Sequence, residues 1–141
     1  MNQDVIKAIY LTNNGRLGRL AYFGYGLALA IVFAIVAGIL VSLLGMIGMV
    51  ISFVLYLAVL YCQYNVAAKR FQDLNQPGQY ALYLMGVAFI AGVLSQISGL
   101  TMIGGLLNIL VFLVALYLLF MPGTQGSNNY GPSPTALPGV Q

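Results

Sequence analysis

The charged chemistry of this sequence rests on five basic residues, Lys7, Arg16, Arg19, Lys69 and Arg70, and two acidic ones, Asp4 and Asp73. Their types allow gripping rather than turnover. An arginine presents a planar fork that holds a carboxylate with two hydrogen bonds, so Arg16 or Arg19 is expected to contact Asp73 and tie the start of the chain to its middle. Lys69 and Arg70 stand one helical turn before Asp73, but base-before-acid is the weaker helical order. The competing arrangement leaves all these charges in water or on lipid phosphates, where a pair is worth only about 0–1 kcal/mol. Acid–base and metal chemistry find little material. With no histidine there is neither a Ser-His-Asp arrangement nor imidazole ligation. The two aspartates would sit at one edge rather than in a dry cleft that tunes pKa values. Cys62, the single cysteine, has no histidine base and reads as a buried structural thiol. No glycine-rich loop follows a strand. The expectation is no enzyme, no cofactor and no metal.

The elements that would position these charges are apolar. Charged residues make up 5% of the chain and hydrophobic ones 61%, against about 25% charged in a soluble domain. Such a chain cannot cover a water-facing exterior, so lipid is the expected solvent. The net charge of +3 is too small and scattered for a nucleic-acid footprint.

No charge occurs from Leu20 to Ala68. A helix of that length would reach about 70 Å, more than twice the hydrocarbon thickness of about 30 Å, so the run must cross twice. Spans are expected over residues 21–43 and 48–68, turning at Leu44-Gly45-Met46-Ile47-Gly48. A cleaved signal peptide is disfavoured because the apolar run continues past Ala28-Leu29-Ala30. The run from Tyr80 to Met121 is also uncharged and divides into 80–97 and 102–121, turning at Ser95-Gln96-Ile97-Ser98-Gly99. Inside the first span Gly26, Ala30, Ala34 and Gly38 draw a ridge of small side chains, the pattern by which membrane helices approach closely. Asn108 in the fourth span reads as an interhelical hydrogen bond, with a substrate contact as the other reading. Tyr56, Tyr61, Tyr64, Tyr80, Tyr83 and Tyr117 suit helix packing or the interfacial belt.

Outside the spans, residues 4–11 form a short amphipathic piece with Asp4 as its cap, either a frayed end or a helix in the headgroup layer. Asn75-Gln76-Pro77-Gly78 ends the second span's helical extension. After Met121-Pro122-Gly123 the tail is uncharged and rich in Gly, Pro, Asn and Ser, a composition of disorder or irregular turns. All basic residues precede the first span or lie between the second and third. The positive-inside rule therefore puts both termini and the central loop in the cytoplasm. The chain is organised as an N-terminal segment 1–19, a transmembrane domain 20–121 with a cytoplasmic loop 69–79, and a tail 122–141. The fold class is an all-α membrane protein, a four-helix transmembrane bundle of two hairpins.

Three stretches resemble the family called domain of unknown function 805, the YhaH-like small inner-membrane proteins of bacteria. They are Gly15-Arg16-Leu17-Gly18-Arg19 before Tyr22-Phe23, Lys69-Arg70-Phe71-Gln72-Asp73 followed by Pro77-Gly78-Gln79-Tyr80, and the tail from Pro122-Gly123 through Asn128-Asn129-Tyr130-Gly131-Pro132-Ser133-Pro134. Members usually carry Arg-Arg-Leu-His-Asp in the loop and Gly-Trp-Trp after it; here Gln72 stands for the histidine and Gln79-Tyr80 for the tryptophans. The resemblance implies a four-span protein of the bacterial inner membrane with no established activity. The candidate cluster on the expected cytoplasmic face comprises Arg16, Arg19, Lys69, Arg70, Asp73, Pro77, Gly78, Asn129, Tyr130, Gly131 and Pro132.

Two functional readings follow. One is a non-enzymatic interaction or regulatory protein presenting the loop and tail; its expected partners are membrane lipids and a protein or a second copy of the chain, with no nucleic acid. The other is a small oligomeric transporter or channel for a neutral or small solute. The first is preferred because the spans hold only neutral polar groups such as Ser42, Ser52, Gln63, Asn65, Gln96 and Asn108, where transport pathways ordinarily place ionisable ones.

Overall fold

The computed structural model describes residues 2–134. Five helices follow in order: α1 (Gln3–Tyr10), α2 (Arg19–Leu44), α3 (Met46–Asp73), α4 (Gln79–Ser95) and α5 (Thr101–Phe120). The described residues contain no strand, only an isolated bridge between Asn128 and Gly131. The last residues of the tail, 135–141, lie outside the described residues, and with them part of the expected irregular segment.

Helix is the only open-ended structure that satisfies every backbone group inside one segment, which is what an apolar run needs in lipid. α2, α3 and α5 are long and apolar enough to cross a membrane, and α4 is a shorter apolar helix of 17 residues. At 1.5 Å per residue α4 reaches about 26 Å, just under a hydrocarbon core of about 30 Å, and α3 at about 42 Å exceeds it. The excess of α3 carries Lys69, Arg70 and Asp73 as a continuous helical extension.

The turn between α2 and α3 is a single residue. Gly45 ends one helix and begins the next with φ +57°, and its N–H bonds to the Val41 carbonyl. Just beyond it Gly48 lies against the α2 backbone, where a Cβ would stand 2.0 Å from the Leu40 carbonyl oxygen. At α1 the cap is Asn2 rather than Asp4: the Asn2 side chain accepts from the Asp4 N–H at 3.4 Å. Asp4 sits inside the first turn, where its charge favours the helix N-terminus.

α2 pairs with α3 and α4 with α5, α3 joins the two hairpins, and α2 also touches α5. No residue of α2 is buried, whereas α3 is buried without a break from Asn65 to Asp73. Two apolar clusters concentrate at that end of α3. One is Ala67, Ala68 and Phe71 with Ala81, Leu84 and Leu118. The other is Val66 with Ile9 and Leu17. Elsewhere the helices keep large apolar side chains exposed, Ile35, Leu43, Phe53 and Phe112 among them, as suits a lipid surround.

The small-residue ridge requires a correction. Ala30, Ala34 and Gly38 are exposed, and nothing stands within 4 Å of a Cβ placed on Gly38. Gly26 is half-buried, and its carbonyl accepts from Gln63 Nε2 at 2.9 Å. The half-buried side of α2 instead runs through Tyr22, Tyr25, Leu29, Phe33, Ala37 and Leu40. That side lies one residue, about 100°, around the helix from the ridge. Bulky side chains fill the seam, with the Phe33 ring tilted at 41° to that of Tyr56 of α3 and the ring centroids 6.1 Å apart. Cys62 also departs from expectation: it is half-buried and lines an apolar groove between α2 and α3 with Leu29, Phe33 and Val59. Asn108 Nδ2 donates to Ser95 Oγ at 3.2 Å, a hydrogen bond from α5 to α4.

Candidate polar site at the loop and tail

Asp73 occupies the last position of α3 and is buried, with a side-chain exposure of 3%. Arg70, one turn earlier on the same helix, donates from Nη1 to Asp73 Oδ2. Arg16 reaches the other carboxylate oxygen from outside the helix, with Nε and Nη2 each 3.0 Å from Oδ1. The segment that delivers Arg16 is fixed by the neighbouring residue, because the Leu17 N–H donates to the Lys69 carbonyl at 3.2 Å. One carboxylate thus holds two guanidinium groups, all three buried.

The remaining donors of these cations go to backbone carbonyls at the ends of other elements. Arg70 Nε donates to the Leu118 carbonyl at 2.6 Å, Nη1 to that of Leu17 at 3.4 Å, and Nη2 to that of Met121, so Arg70 closes the C-terminal end of α5. Lys69 is buried too, and its ammonium donates to the Ala8 and Ile9 carbonyls in the last turn of α1. Asn65 Nδ2 adds a bond to the Tyr10 carbonyl at 2.7 Å. Cations at helix C-termini meet the negative end of the macrodipole, which helps to hold buried Lys69, a base with no ion pair among the described residues. The Tyr10 hydroxyl donates to the Tyr25 carbonyl at 2.9 Å, and burial, with smaller contributions from Tyr25 and Cys62, pushes its phenol above the ordinary range.

The described part of the tail is laid over this cluster. Arg16 donates to the carbonyls of Thr124, Gly126 and, at 3.3 Å, Gly131. In return the Thr124 N–H donates to the Asp73 carbonyl at 2.9 Å. Asn128 Nδ2 bonds the Gln72 carbonyl at 2.9 Å, and the Asn129 N–H bonds Asn75 Oδ1 at 3.2 Å. Gly123 sits so close that a Cβ there would come within 2.1 Å of Asp73 Oδ2. Gln72 is buried, and its Oε1 has no hydrogen-bond partner among the described residues.

The structure therefore brings Arg16, Lys69, Arg70, Asp73, Asn129 and Gly131 together. Gly78 is buried against the Gln72 side chain, Pro77 and Tyr130 are half-buried at the margin, and Pro132 is exposed. Arg19 is exposed at the start of α2 and makes no ion pair with Asp73. Lys69 binds α1 rather than Asp73. Sequence reasoning did not single out Gly123, Thr124, Gly126 and Asn128 as site residues, since three of them act through backbone or through want of a side chain. The signal for Asn128 lay in its place in the tail motif. Among the described residues no three His, Cys, Asp or Glu side chains converge as metal ligands. The arrangement is built to clamp: it crosslinks four chain segments by charge-assisted bonds and leaves its one carboxylate fully engaged.

A family model described as protein of unknown function (DUF805) matches residues 10–132, a stretch that contains the Arg16–Arg70–Asp73 cluster and the strap over it. No curated protein and no solved structure matches the chain.

Proposed function

The chain belongs to DUF805, a family of proteins of unknown function, and we propose that it is a four-span protein of the bacterial inner membrane that works without catalysis, by presenting an organised cytoplasmic face to a protein partner. In this reading α2 and α3 form one transmembrane hairpin and α4 and α5 the other. The N-terminal segment, the loop at 69–79 and the tail share the cytoplasmic side, where the positive-inside rule puts the basic residues. The observation that carries the proposal is the Arg16–Asp73–Arg70 cluster. It spends the buried charge of the protein on holding the N-terminal segment, loop and tail in one fixed relation, which is the requirement of a recognition surface. The spans, by contrast, offer neutral polar groups whose bonds join the two helices of a hairpin, such as Gln63 to Gly26 and Asn108 to Ser95.

The test uses a photo-crosslinking residue at exposed Asn75 or Asn129 in native membranes. A single stoichiometric adduct that disappears on Arg16→Gln supports the reading. Substrate-dependent flux through the purified protein in liposomes, with no such adduct, replaces it by a transport role.

A further inference from the structure

Asn108 lies exposed on the outer surface of α5, and the protein answers its amide only in part. Nδ2 donates to Ser95 Oγ at 3.2 Å, and that hydroxyl gives its own proton to the Ala91 carbonyl at 2.7 Å. Ser95 therefore accepts from Asn108 and returns nothing. One N–H and the carbonyl oxygen of the amide have no hydrogen-bond partner among the described residues. The position makes this costly. Asn108 is seven residues, about 10 Å, from the start of α5 and twelve residues, about 18 Å, from its end. A hydrocarbon core about 30 Å thick holds no water at that depth, and an asparagine side chain is too short to reach the interface. The surroundings suit another helix. Thr101, Gly105, Asn108, Phe112, Ala115 and Leu119 recur at alternating steps of four and three residues, the spacing of a left-handed helix seam. None of the six is buried, and nothing stands within 4 Å of a Cβ placed on Gly105.

We propose that two copies of the chain pair through this stripe of α5, with their Asn108 amides hydrogen-bonded to each other across a two-fold axis along the membrane normal. Copies inserted the same way place Asn108 at the same depth, and such an axis brings the same surface of each to the other. An amide is donor and acceptor at once, so each Nδ2 gives its free hydrogen to Oδ1 of the other copy. The two bonds complete both amides without a third group, whereas lipid tails offer neither donor nor acceptor there. A single polar residue in an apolar seam also fixes the register, because a slip leaves both amides unanswered. The inference rests on the transmembrane reading of α5. It is separate from recognition of a protein at the polar face and holds whichever side that face is on.

The experiment crosslinks the full-length Cys62→Ala chain in liposomes, with one cysteine introduced by Phe112→Cys or Leu113→Cys. Both positions are exposed, but Phe112 is on the stripe and Leu113 lies about 100° around the helix from it. Oxidation with copper phenanthroline should join Phe112→Cys into a disulfide dimer and leave Leu113→Cys monomeric. Adding Asn108→Leu, close to asparagine in shape, should raise the protein-to-lipid ratio needed for half-maximal crosslinking about tenfold, the scale of an interhelical amide bond in lipid. Ser95→Ala removes the internal acceptor and keeps the amide, so the dimer should survive it. Absent crosslinking of Phe112→Cys overturns the proposal, and so does equal crosslinking at both positions. Crosslinking undiminished by Asn108→Leu, or lost as fully with Ser95→Ala, overturns it too. A water-soluble maleimide applied to the Phe112→Cys liposomes separates two failures. Ready labelling without detergent means that α5 does not cross the membrane, and protection without a dimer defeats the pairing alone.

Discussion

Arg16 and Asp73 are 57 positions apart in the chain, yet Nε and Nη2 of the arginine both lie 3.0 Å from one carboxylate oxygen. That contact fixes where the N-terminal segment crosses the end of α3. The other oxygen of Asp73 is held by Arg70, so the carboxylate is a junction rather than one half of an isolated pair. Because the strap carbonyls rest on the same Arg16, the junction also sets the position of the tail.

Gly123 is predicted to tolerate no side chain. A methyl group there would press on Asp73 Oδ2, so Gly123→Ala must displace the carboxylate or the strap. Thermal unfolding in detergent should show a loss of about 1–3 kcal/mol, the usual cost of overpacking. Gly126→Ala is not a fair control, because Gly126 has φ +71°. Gly105→Ala is, since open space surrounds it. Equal stability of Gly123→Ala and Gly105→Ala would refute the close approach.

A second glycine pair separates the hairpin seam from the exposed ridge. Gly48→Ala would drive a methyl into the Leu40 carbonyl and should destabilise by about 1–3 kcal/mol. Gly38→Ala meets open space and gains helix propensity, so it should be neutral or stabilising by up to about 1 kcal/mol. A destabilising Gly38→Ala would return the ridge to a packing role.

Much of the architecture was legible in residues 20–121 because the argument needed only length and charge. The helical turns at Gly45 and near Gln96, and the helical extension carrying Lys69 to Asp73, follow from where apolar runs exceed one crossing. The facing side of α2 was not legible. Its residues are apolar all round, so no polar stripe marks the outside, and small size at Ala30 and Ala34 signals contact only when a partner helix is there. At the site, an arginine partner for Asp73 was readable from charge complementarity. The choice of Arg16 over Arg19 depended on the Leu17 to Lys69 backbone bond, which side-chain identity does not encode. The ordered strap was hidden for the same reason, since its contribution is carbonyl oxygens that every residue has.

Lys69 should prove to be the anchor of α1. Its ammonium closes the helix end at Ala8 and Ile9, and hydrogen bonds to a charged group are worth about 1.5–3 kcal/mol. Lys69→Met should free α1 and speed tryptic cleavage after exposed Lys7 severalfold. Unchanged cleavage would mean that Ile9 and its apolar neighbours hold α1 unaided.

Topology follows from the proposed orientation. An activity reporter inserted near Gln76 or fused after Gln141 should be active in the cytoplasm, and one near Gly45 on the opposite side. Periplasmic activity from either of the first two would invert the model of the face.

The central claim, that Arg16 and Asp73 together organise this end of the protein, is tested most directly by a double-mutant cycle on unfolding in detergent. Asp73→Asn and Arg16→Gln should each cost about 3–5 kcal/mol, as breaking a buried pair does. The pair should couple by well over the additivity limit of about 0.3–0.5 kcal/mol, while Asp73→Asn with Arg19→Gln stays within it. Additive losses for Arg16 and Asp73, or coupling to Arg19 instead, would contradict the account.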